Sequence, residues 1–321
     1  MAKSPAAPAR QPVDNRRAAL WLLASAVMFT FTGVLVKTLG QSLHPFEISF
    51  FRGLVALAVI LPIFARTGGI RAGMKTQIPL LQLTRGVVGS VAMFLGFYAI
   101  VALPLADAQA ISFSRNLFLV PLAAFILSEA VGPHRAVAAG VGFIGVLIML
   151  RPDLGLAGGD GAGMILSLGA AAALGHAFLV ALATVLVNIA SRYDGSVTLM
   201  FYTNTVSVTL IAIPTFFVWQ TPSLNEFFML IAMGILATAS HNCFIRAFAL
   251  GEASVIAPVD YARLIFAALA GFVVFASVPD IYTIIGASII VASSFYILRR
   301  EARRGTGAQS SSQPPSQPPT P

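Results

Sequence analysis

The stretch ASVIAPVDYARLIFAALAGFVVF occupies residues 253–275 and decides the fold. It is apolar enough to cross a membrane, yet it carries Asp260, Tyr261 and Arg263 near its middle. An ionised side chain at that depth costs roughly 2.5–3.5 kcal/mol on insertion scales. Such side chains are retained where they face a protein interior or a water-filled cavity. The stretch therefore indicates a membrane helix that lines a functional site.

A second stretch of the same kind, LADAQAISFSRNLFLVPLAAFIL at residues 105–127, carries Arg115 in the matching place. When the chain is shifted by 148 residues, Arg115 falls on Arg263, and the Leu-Arg pair at 150–151 falls on the pair at 298–299. Two apolar segments can align by chance, but charged residues are rare inside membrane helices. The matched pairs therefore indicate two copies of one unit.

The composition places most of the chain in lipid. Of 321 residues, 57% are hydrophobic and only 10% are charged, whereas soluble domains carry about 25% charged residues. A spanning helix needs about 20 apolar residues, which leaves room for about ten spans. The net charge of +8 does not indicate nucleic-acid binding, because the arginines stand at helix ends and in short loops, where they set membrane topology.

Hydropathy predicts an all-α polytopic membrane protein with ten transmembrane helices joined by short connections. Residues 1–17 and 301–321 are predicted to be disordered cytoplasmic segments, because their composition is polar and rich in proline. The first repeat is predicted at residues 18–152 with helices 1–5, and the second at 162–300 with helices 6–10. The ten predicted helices are 18–39, 45–65, 78–102, 105–127, 134–150, 162–189, 196–219, 224–249, 253–276 and 281–298.

The distribution of basic residues predicts the orientation in the membrane. If the N-terminus lies in the cytoplasm, Arg151 is the single basic residue in an outer loop, and thirteen lie in inner segments. This bias is typical of cytoplasmic loops. Both termini are therefore predicted to be cytoplasmic, with the chain in the cell inner membrane. The thirteen are Lys3, Arg10, Arg16, Arg17, Arg66, Arg71, Lys75, Arg135, Arg192, Arg299, Arg300, Arg303 and Arg304.

The predicted repeat unit contains five helices, and this odd number has a topological consequence. The second copy must enter the membrane from the opposite side, which gives an inverted-topology repeat of the kind found in many secondary transporters. Two copies related in this way can exchange conformations, so that a central site meets each side of the membrane in turn. The sequence thus predicts a secondary carrier that works by alternating access.

Four motifs carry a resemblance to a known family: HPFEISFFRG at 44–53, LPLADAQAISF at 103–113, GFIGVLIMLRP at 142–152, and RAFALGEASVIAPVDYARLIFAALAGFVVFASVPD at 246–280. With these motifs the chain resembles the drug/metabolite transporter superfamily, EamA type, over residues 18–300. The resemblance implies ten helices in two EamA repeats and the transport of a small organic metabolite.

Within the superfamily, the chain is most similar to the branch that contains S-adenosylmethionine uptake transporters, which shares the segments H-x-F-E-x-x-F-F-R and A-P-x-x-Y. The resemblance implies uptake of S-adenosylmethionine. Related branches import riboflavin or export amino acids on the same scaffold, so these substrates remain alternatives. The chain departs from the branch at Asp260, where its S-adenosylmethionine carriers tend to have a basic residue, and this bears on the substrate more than on the class.

Polar residues of the first stretch share one helix face. Ser112 and Asn116 are four residues apart, and Arg115 borders their face. Arg115 has no carboxylate within one turn, so its partner comes from another helix, from water or from substrate. A guanidinium stays charged and fits a carboxylate or a phosphate. We predict that Arg115 holds an anionic group of the substrate, such as an amino-acid carboxylate.

In the second stretch, Asp260 and Arg263 are three residues apart and can pair. This pair is either a self-neutralised strut or a cavity lining that changes partners during transport. Tyr261 either stacks on a flat ring of the substrate or serves packing. Arg52 and Arg85 either reach the headgroup layer or line the cavity. The candidate substrate-binding residues are Arg52, Arg85, Ser112, Arg115, Asn116, Asp260, Tyr261 and Arg263.

Other functional classes are disfavoured. The chain has no Walker A, H-E-x-x-H or G-x-S-x-G motif, and its four histidines are scattered. We therefore expect no enzyme activity, no cofactor and no metal site, with a membrane-embedded enzyme as a remote alternative. His176 and His241, at membrane depth, are expected to be hydrogen-bonded packing residues. A channel would favour rings of like residues from several subunits. The expected partners are a small-molecule substrate and the lipid bilayer.

Overall fold

The computed structural model describes residues 14–66, 75–126, 132–150, 161–251 and 253–310. These residues form twelve α-helices, and no strand occurs among them. The helices are α1 (Asn15–Leu39), α2 (Pro45–Arg66), α3 (Pro79–Ala102), α4 (Leu105–Ser112), α5 (Arg115–Ile126), α6 (Pro133–Leu150), α7 (Gly161–Ala190), α8 (Ser196–Val218), α9 (Leu224–Leu250), α10 (Ala253–Asp260), α11 (Ala262–Phe275) and α12 (Ile281–Ser310).

The first helix begins earlier than the sequence predicts. It starts at Asn15 instead of residue 18, because the Asp14 carboxylate accepts a hydrogen bond of 3.0 Å from the backbone N–H of Arg17 and caps the first turn. Residues 1–13, the rest of the segment predicted to be disordered, lie outside the described residues.

The last helix ends later than predicted. It continues beyond residue 298 to Ser310, so the first part of the segment 301–321 is helical. The sequence Glu-Ala-Arg-Arg at 301–304 consists of strong helix formers, which explains the extension. Residues 311–321 lie outside the described part of the chain.

Two of the predicted helices are interrupted near their middle. The helix predicted at 105–127 is divided by a turn at residues 113–114, and the one predicted at 253–276 is divided at Tyr261. Pro258 has no N–H to donate, and the Tyr261 N–H donates to the Pro258 carbonyl at 3.2 Å, which tightens the turn. The continuous helices expected from hydropathy are therefore each two helices.

The first interruption has a different local cause. The Ser112 hydroxyl donates to the Ala108 carbonyl one turn earlier, at 2.8 Å, and such bonds bend helices. The Phe113 N–H is shared between the carbonyls of Gln109 at 3.3 Å and Ala110 at 3.2 Å. Phe113 and Tyr261 are 148 residues apart. The two interruptions thus occupy the same place in the sequence repeat.

Helix contacts follow the same pattern in both halves of the chain. α1 packs along α9, and α7 packs along α3. α1 also contacts α11, as α7 contacts α5, and α2 contacts α9, as α8 contacts α3. The set of contacts therefore stays the same when the helices of the first half are exchanged with those of the second.

Corresponding helices of the two halves run antiparallel where they meet. Near the start of α2, Glu47 accepts a hydrogen bond from the Gln220 N–H, just after the end of α8. Further along α2, a Cβ placed on Gly53 would lie 2.7 Å from the Val208 side chain, well before the end of α8. Position along α2 increases while position along α8 decreases, so the two helices have opposite directions.

α6 and α12 form a second antiparallel pair with direct backbone contact. Gly142 lies against Ser293, and Gly145 lies against Gly286. A Cβ on Gly286 would stand 2.5 Å from the Gly145 carbonyl oxygen, a distance that real Cβ atoms do not adopt. Only glycine permits this approach, because it has no Cβ. We call this contact the glycine seam.

Seven helices of the described chain are long and apolar enough to span a bilayer. Two more apolar helices are shorter. Phe125, Phe216 and Phe217 each expose at least 80% of their surface, which suits a lipid-facing side chain. The chain is therefore a multi-pass membrane protein, and the count of ten crossings stays a prediction. The seven are Asn15–Leu39, Pro79–Ala102, Leu105–Ile126, Leu168–Ala190, Thr198–Val218, Leu224–Leu250 and Pro258–Phe275, and the two shorter ones are Ala136–Leu150 and Ile281–Ile297.

Candidate functional site

The two helix interruptions bring three charged side chains together. Arg115 is the first residue of α5, and Asp260 is the last residue of α10. Arg115 Nη2 lies 3.3 Å from Asp260 Oδ2, and Arg263 Nη2 lies 2.9 Å from Asp260 Oδ1. The carboxylate thus divides its two oxygens between two guanidinium groups. The predicted pairing of Asp260 with Arg263 is confirmed, and the partner of Arg115 comes from another helix.

The two arginines differ in access to solvent. The Arg263 side chain is 6% exposed and that of Asp260 is 11% exposed, so their pair is buried. The Arg115 side chain is 22% exposed and makes the longer contact. Removing one partner of a buried ion pair leaves a costly uncompensated charge. Arg263 is therefore held by Asp260, while Arg115 is the guanidinium that an incoming anion reaches more easily.

Aromatic rings surround the same charges. The Cζ atom of Arg263 lies 4.2 Å from the ring centre of Phe29, and Arg115 Cζ lies 5.3 Å from that of Phe113. The Phe113 and Tyr261 rings are 5.1 Å apart. A cation over an aromatic face gains about 0.5–2 kcal/mol, more when it is desolvated. These rings stabilise charges that lipid would otherwise disfavour.

Sequence analysis missed Phe29 and Phe113. Phe113 has a signal in the repeat, because a shift of 148 residues places it on Tyr261, which was singled out. Phe29 has none, since it stands among other apolar residues of α1 and nothing in its spacing indicates a charged neighbour.

The remaining polar candidates line the edge of this charged group. The Tyr261 hydroxyl is buried and has no hydrogen bond of good geometry within the described residues, although Ser294 and Asn116 lie close to it. The Ser294 hydroxyl is likewise buried without a partner there. Ser112, in contrast, spends its hydroxyl on its own helix. Tyr261 and Asn116 are thus better placed than Ser112 to meet a polar solute.

Arg52 joins the site from α2. Its Nη1 contacts the Met93 sulfur, a weak acceptor, and no carboxylate lies within ion-pair distance of it in the described part of the chain. His241 on α9 lies within electrostatic range of both Arg52 and Arg263. We call the group of Arg52, Arg115, His241, Asp260 and Arg263 the central cluster.

The structure does not bring Arg85 to this cluster. Arg85 Nη2 donates to Gln82 Oε1 at 2.8 Å and to the Leu199 carbonyl at the start of α8. Gln82 Nε2 in turn donates to Asp194 Oδ2 at 2.6 Å, and the Thr76 hydroxyl donates to the same oxygen. These contacts join the start of α3 to the turn between α7 and α8, which favours a structural role for Arg85.

Two other residues at membrane depth have backbone partners. His176 Nδ1 lies 2.7 Å from the Ala92 carbonyl oxygen, as expected for a packing histidine. Lys37 was expected to extend to the membrane surface, but its Nζ donates to the Leu103 carbonyl at 2.5 Å and to the Ile100 carbonyl at 3.3 Å. The free carbonyls at the end of α3 attract the ammonium, which explains the difference.

No group of three or more His, Cys, Asp or Glu side chains able to hold a metal ion occurs among the residues that the structure describes. The sequence signature of the EamA-like transporter family matches residues 16–151 and 167–299. The chain belongs to this family. As an EamA protein it is a transporter and not an enzyme, and the resemblance drawn from its motifs is confirmed.

Curated relatives of this EamA chain carry several names. The S-adenosylmethionine uptake transporter of Rickettsia prowazekii is 30% identical, with 88% of this chain and 92% of the relative aligned. The riboflavin transporter of Vibrio cholerae is 29% identical, with 89% and 94% aligned. Solute carrier family 35 member G1 of Homo sapiens is 31% identical, with 85% and 76% aligned. One crystal structure matches with a TM-score of 0.58 at 21% identity, covering 89% of this chain and 98% of its own, which supports the fold alone.

Proposed function

We propose that the protein is a secondary carrier of a small organic metabolite with an acidic group, and that it works by alternating access in the cell inner membrane. In this proposal ten crossings form two inverted repeats of five, and both termini are cytoplasmic. The observation that carries the proposal is the meeting of Arg115 and Asp260 at two helix interruptions that are equivalent in the repeat.

The arrangement of helices supports the inverted repeat. In repeats related by an axis along the membrane normal, corresponding helices are parallel. Here the corresponding pairs α2 with α8 and α6 with α12 run antiparallel, as an axis in the membrane plane requires. The family signature also matches the chain in two successive stretches of similar length.

The central cluster supplies a binding mechanism. Arg115 makes the longer contact to Asp260 and is the more exposed of the two arginines. An acidic group that enters the site takes up the Arg115 guanidinium in a charge-assisted, planar interaction. Asp260 keeps Arg263 neutralised meanwhile. Because the interrupted helices belong to different halves, a solute that binds between them contacts both halves at once, and it can bias their relative position.

The named relatives decide which compounds to test first. S-adenosylmethionine comes first, and riboflavin and the amino acids follow as alternatives. The experiment is uptake of each labelled compound into proteoliposomes, with and without the same compound preloaded. We expect saturable uptake of one of them that preloading stimulates, and loss of that uptake in Arg115→Gln.

Arg246→Gln is the matched control, because Arg246 is exposed and lies over the Trp21 ring at 5.2 Å, away from the central cluster. It should leave uptake unchanged. Wild-type rate and apparent affinity in Arg115→Gln would contradict the assigned role of Arg115. Absence of vectorial uptake for every compound of the panel would contradict the carrier proposal.

A further inference from the structure

We infer that the substrate carries two acidic groups, one held by Arg115 and the other by Arg52 and its neighbour His241. This inference rests on the proposed carrier function and adds the charge of the substrate to it. Its basis is an imbalance of charge in the central cluster.

The central cluster contains three guanidinium groups, those of Arg52, Arg115 and Arg263, and one carboxylate, that of Asp260. With neutral histidine, the described side chains of the cluster carry an excess of two positive charges. Uncompensated charge in a membrane interior is costly, so ionisable groups there are paired or meet a ligand. An occupant with two negative charges restores neutrality.

Other charged groups in the described helices do not remove this excess. Lys37 is in electrostatic contact with Asp107, and Arg85 with Asp194, so each of these cations has an anion of its own. The only acidic residue of α2 is Glu47, and it accepts the Gln220 N–H at the start of the helix.

Arg52 is the residue whose contacts leave most capacity for a ligand. Its single hydrogen-bonding contact in the described chain is the Met93 thioether, a weak acceptor for a charged donor. A guanidinium offers five N–H donors in a planar fork. A carboxylate or phosphate oxygen satisfies this fork, and the neighbouring His241 offers a further ring nitrogen.

The same charge count disfavours the substrates named for the relatives. S-adenosylmethionine carries one carboxylate against an ammonium and a sulfonium, so it would add positive charge to the cluster. Riboflavin has no acidic group that ionises near neutral pH. Both are expected to bind more weakly than a doubly acidic solute.

The test is a comparison of matched ligands on matched variants of the purified full-length protein. The ligands are the α,ω-dicarboxylates from malonate to adipate and the monoamide of each, which has the same length and one charge fewer. Affinity is measured by calorimetry at constant ionic strength. The variants are Arg52→Gln, Arg52→Lys and the control Arg246→Gln.

We expect at least one dicarboxylate to bind wild type about tenfold or more tightly than its monoamide. Arg52→Gln should remove that difference while monoamide binding stays within about twofold. Arg52→Lys should keep part of it, because the charge remains and the fork is lost. Unchanged monoamide binding also shows that the variant is folded.

Two results would overturn the inference. One is equal binding of every dicarboxylate and its monoamide to wild type. The other is an equal loss of both ligands in Arg52→Gln. Saturable uptake of S-adenosylmethionine together with either result would leave the carrier proposal intact, so the two failures are distinguishable.

Discussion

Asp260 is the residue whose change tests the electrostatics of the site most directly. The substitution Asp260→Asn keeps the shape of the side chain and removes the charge that Arg115 and Arg263 share. Breaking a buried ion pair by removing one partner costs about 3–5 kcal/mol. The Arg263 contact accounts for most of this, since its side chain is 6% exposed, while Arg115 at 22% exposure is partly screened.

We expect the thermal unfolding midpoint of Asp260→Asn to fall by about 10 °C, because roughly 2–4 °C corresponds to each kcal/mol in a chain of this size class. The assay is tryptophan fluorescence in detergent micelles, with Trp21 and Trp219 as the two reporters. The matched control is Asp280→Asn. Asp280 caps α12 through a hydrogen bond of 2.6 Å from the Thr283 N–H, and asparagine caps helices equally well.

A second comparison isolates the pair. In an Arg263→Gln background the buried guanidinium is already gone, so Asp260→Asn should cost clearly less there than in wild type. Equal costs in the two backgrounds, or a midpoint for Asp260→Asn within about 1 °C of the control, would refute the reasoning that Asp260 holds two buried cations.

Three further substitutions test other parts of the structure. Gly286→Ala should destabilise by about 1–3 kcal/mol, since its Cβ has no space beside the Gly145 carbonyl, and thermal unfolding measures this. Asp194→Asn weakens the charge-assisted bond from Gln82, by about 1.5 kcal/mol, and should open this end of the protein to labelling of an introduced cysteine, whereas unchanged labelling would contradict a closing role. Ser223→Ala removes the cap of α9 and should cost about 1 kcal/mol on unfolding.

Local spacing was sufficient to predict part of the site. Asp260 and Arg263 pair because they are three residues apart on a helix, which is readable from the sequence alone. Arg115 and Asp260 are 145 residues apart, and their contact depends on how the two halves pack. The sequence left water and substrate open as partners of Arg115, and the choice was made by tertiary structure.

The interruptions of the helices show a second limit. Pro258 announced the turn at Tyr261, because proline removes a helical hydrogen bond. No proline or glycine stands at residues 113–114, so hydropathy predicted a continuous helix there. Arg52 and Arg85 looked alike in sequence for a similar reason. Their depth was readable, but the partners of Arg85, above all Gln82 and Leu199, were not.

The glycine seam has a mechanical consequence. Where Gly145 and Gly286 touch, backbone meets backbone with no flexible side chain between them, so sliding one helix past the other breaks dispersion contacts that nothing can replace. In a carrier whose halves rock against each other, such a seam is the fulcrum. Distances across α6 and α12 then stay fixed through a transport cycle, and the motion is left to the helices that bear the charges.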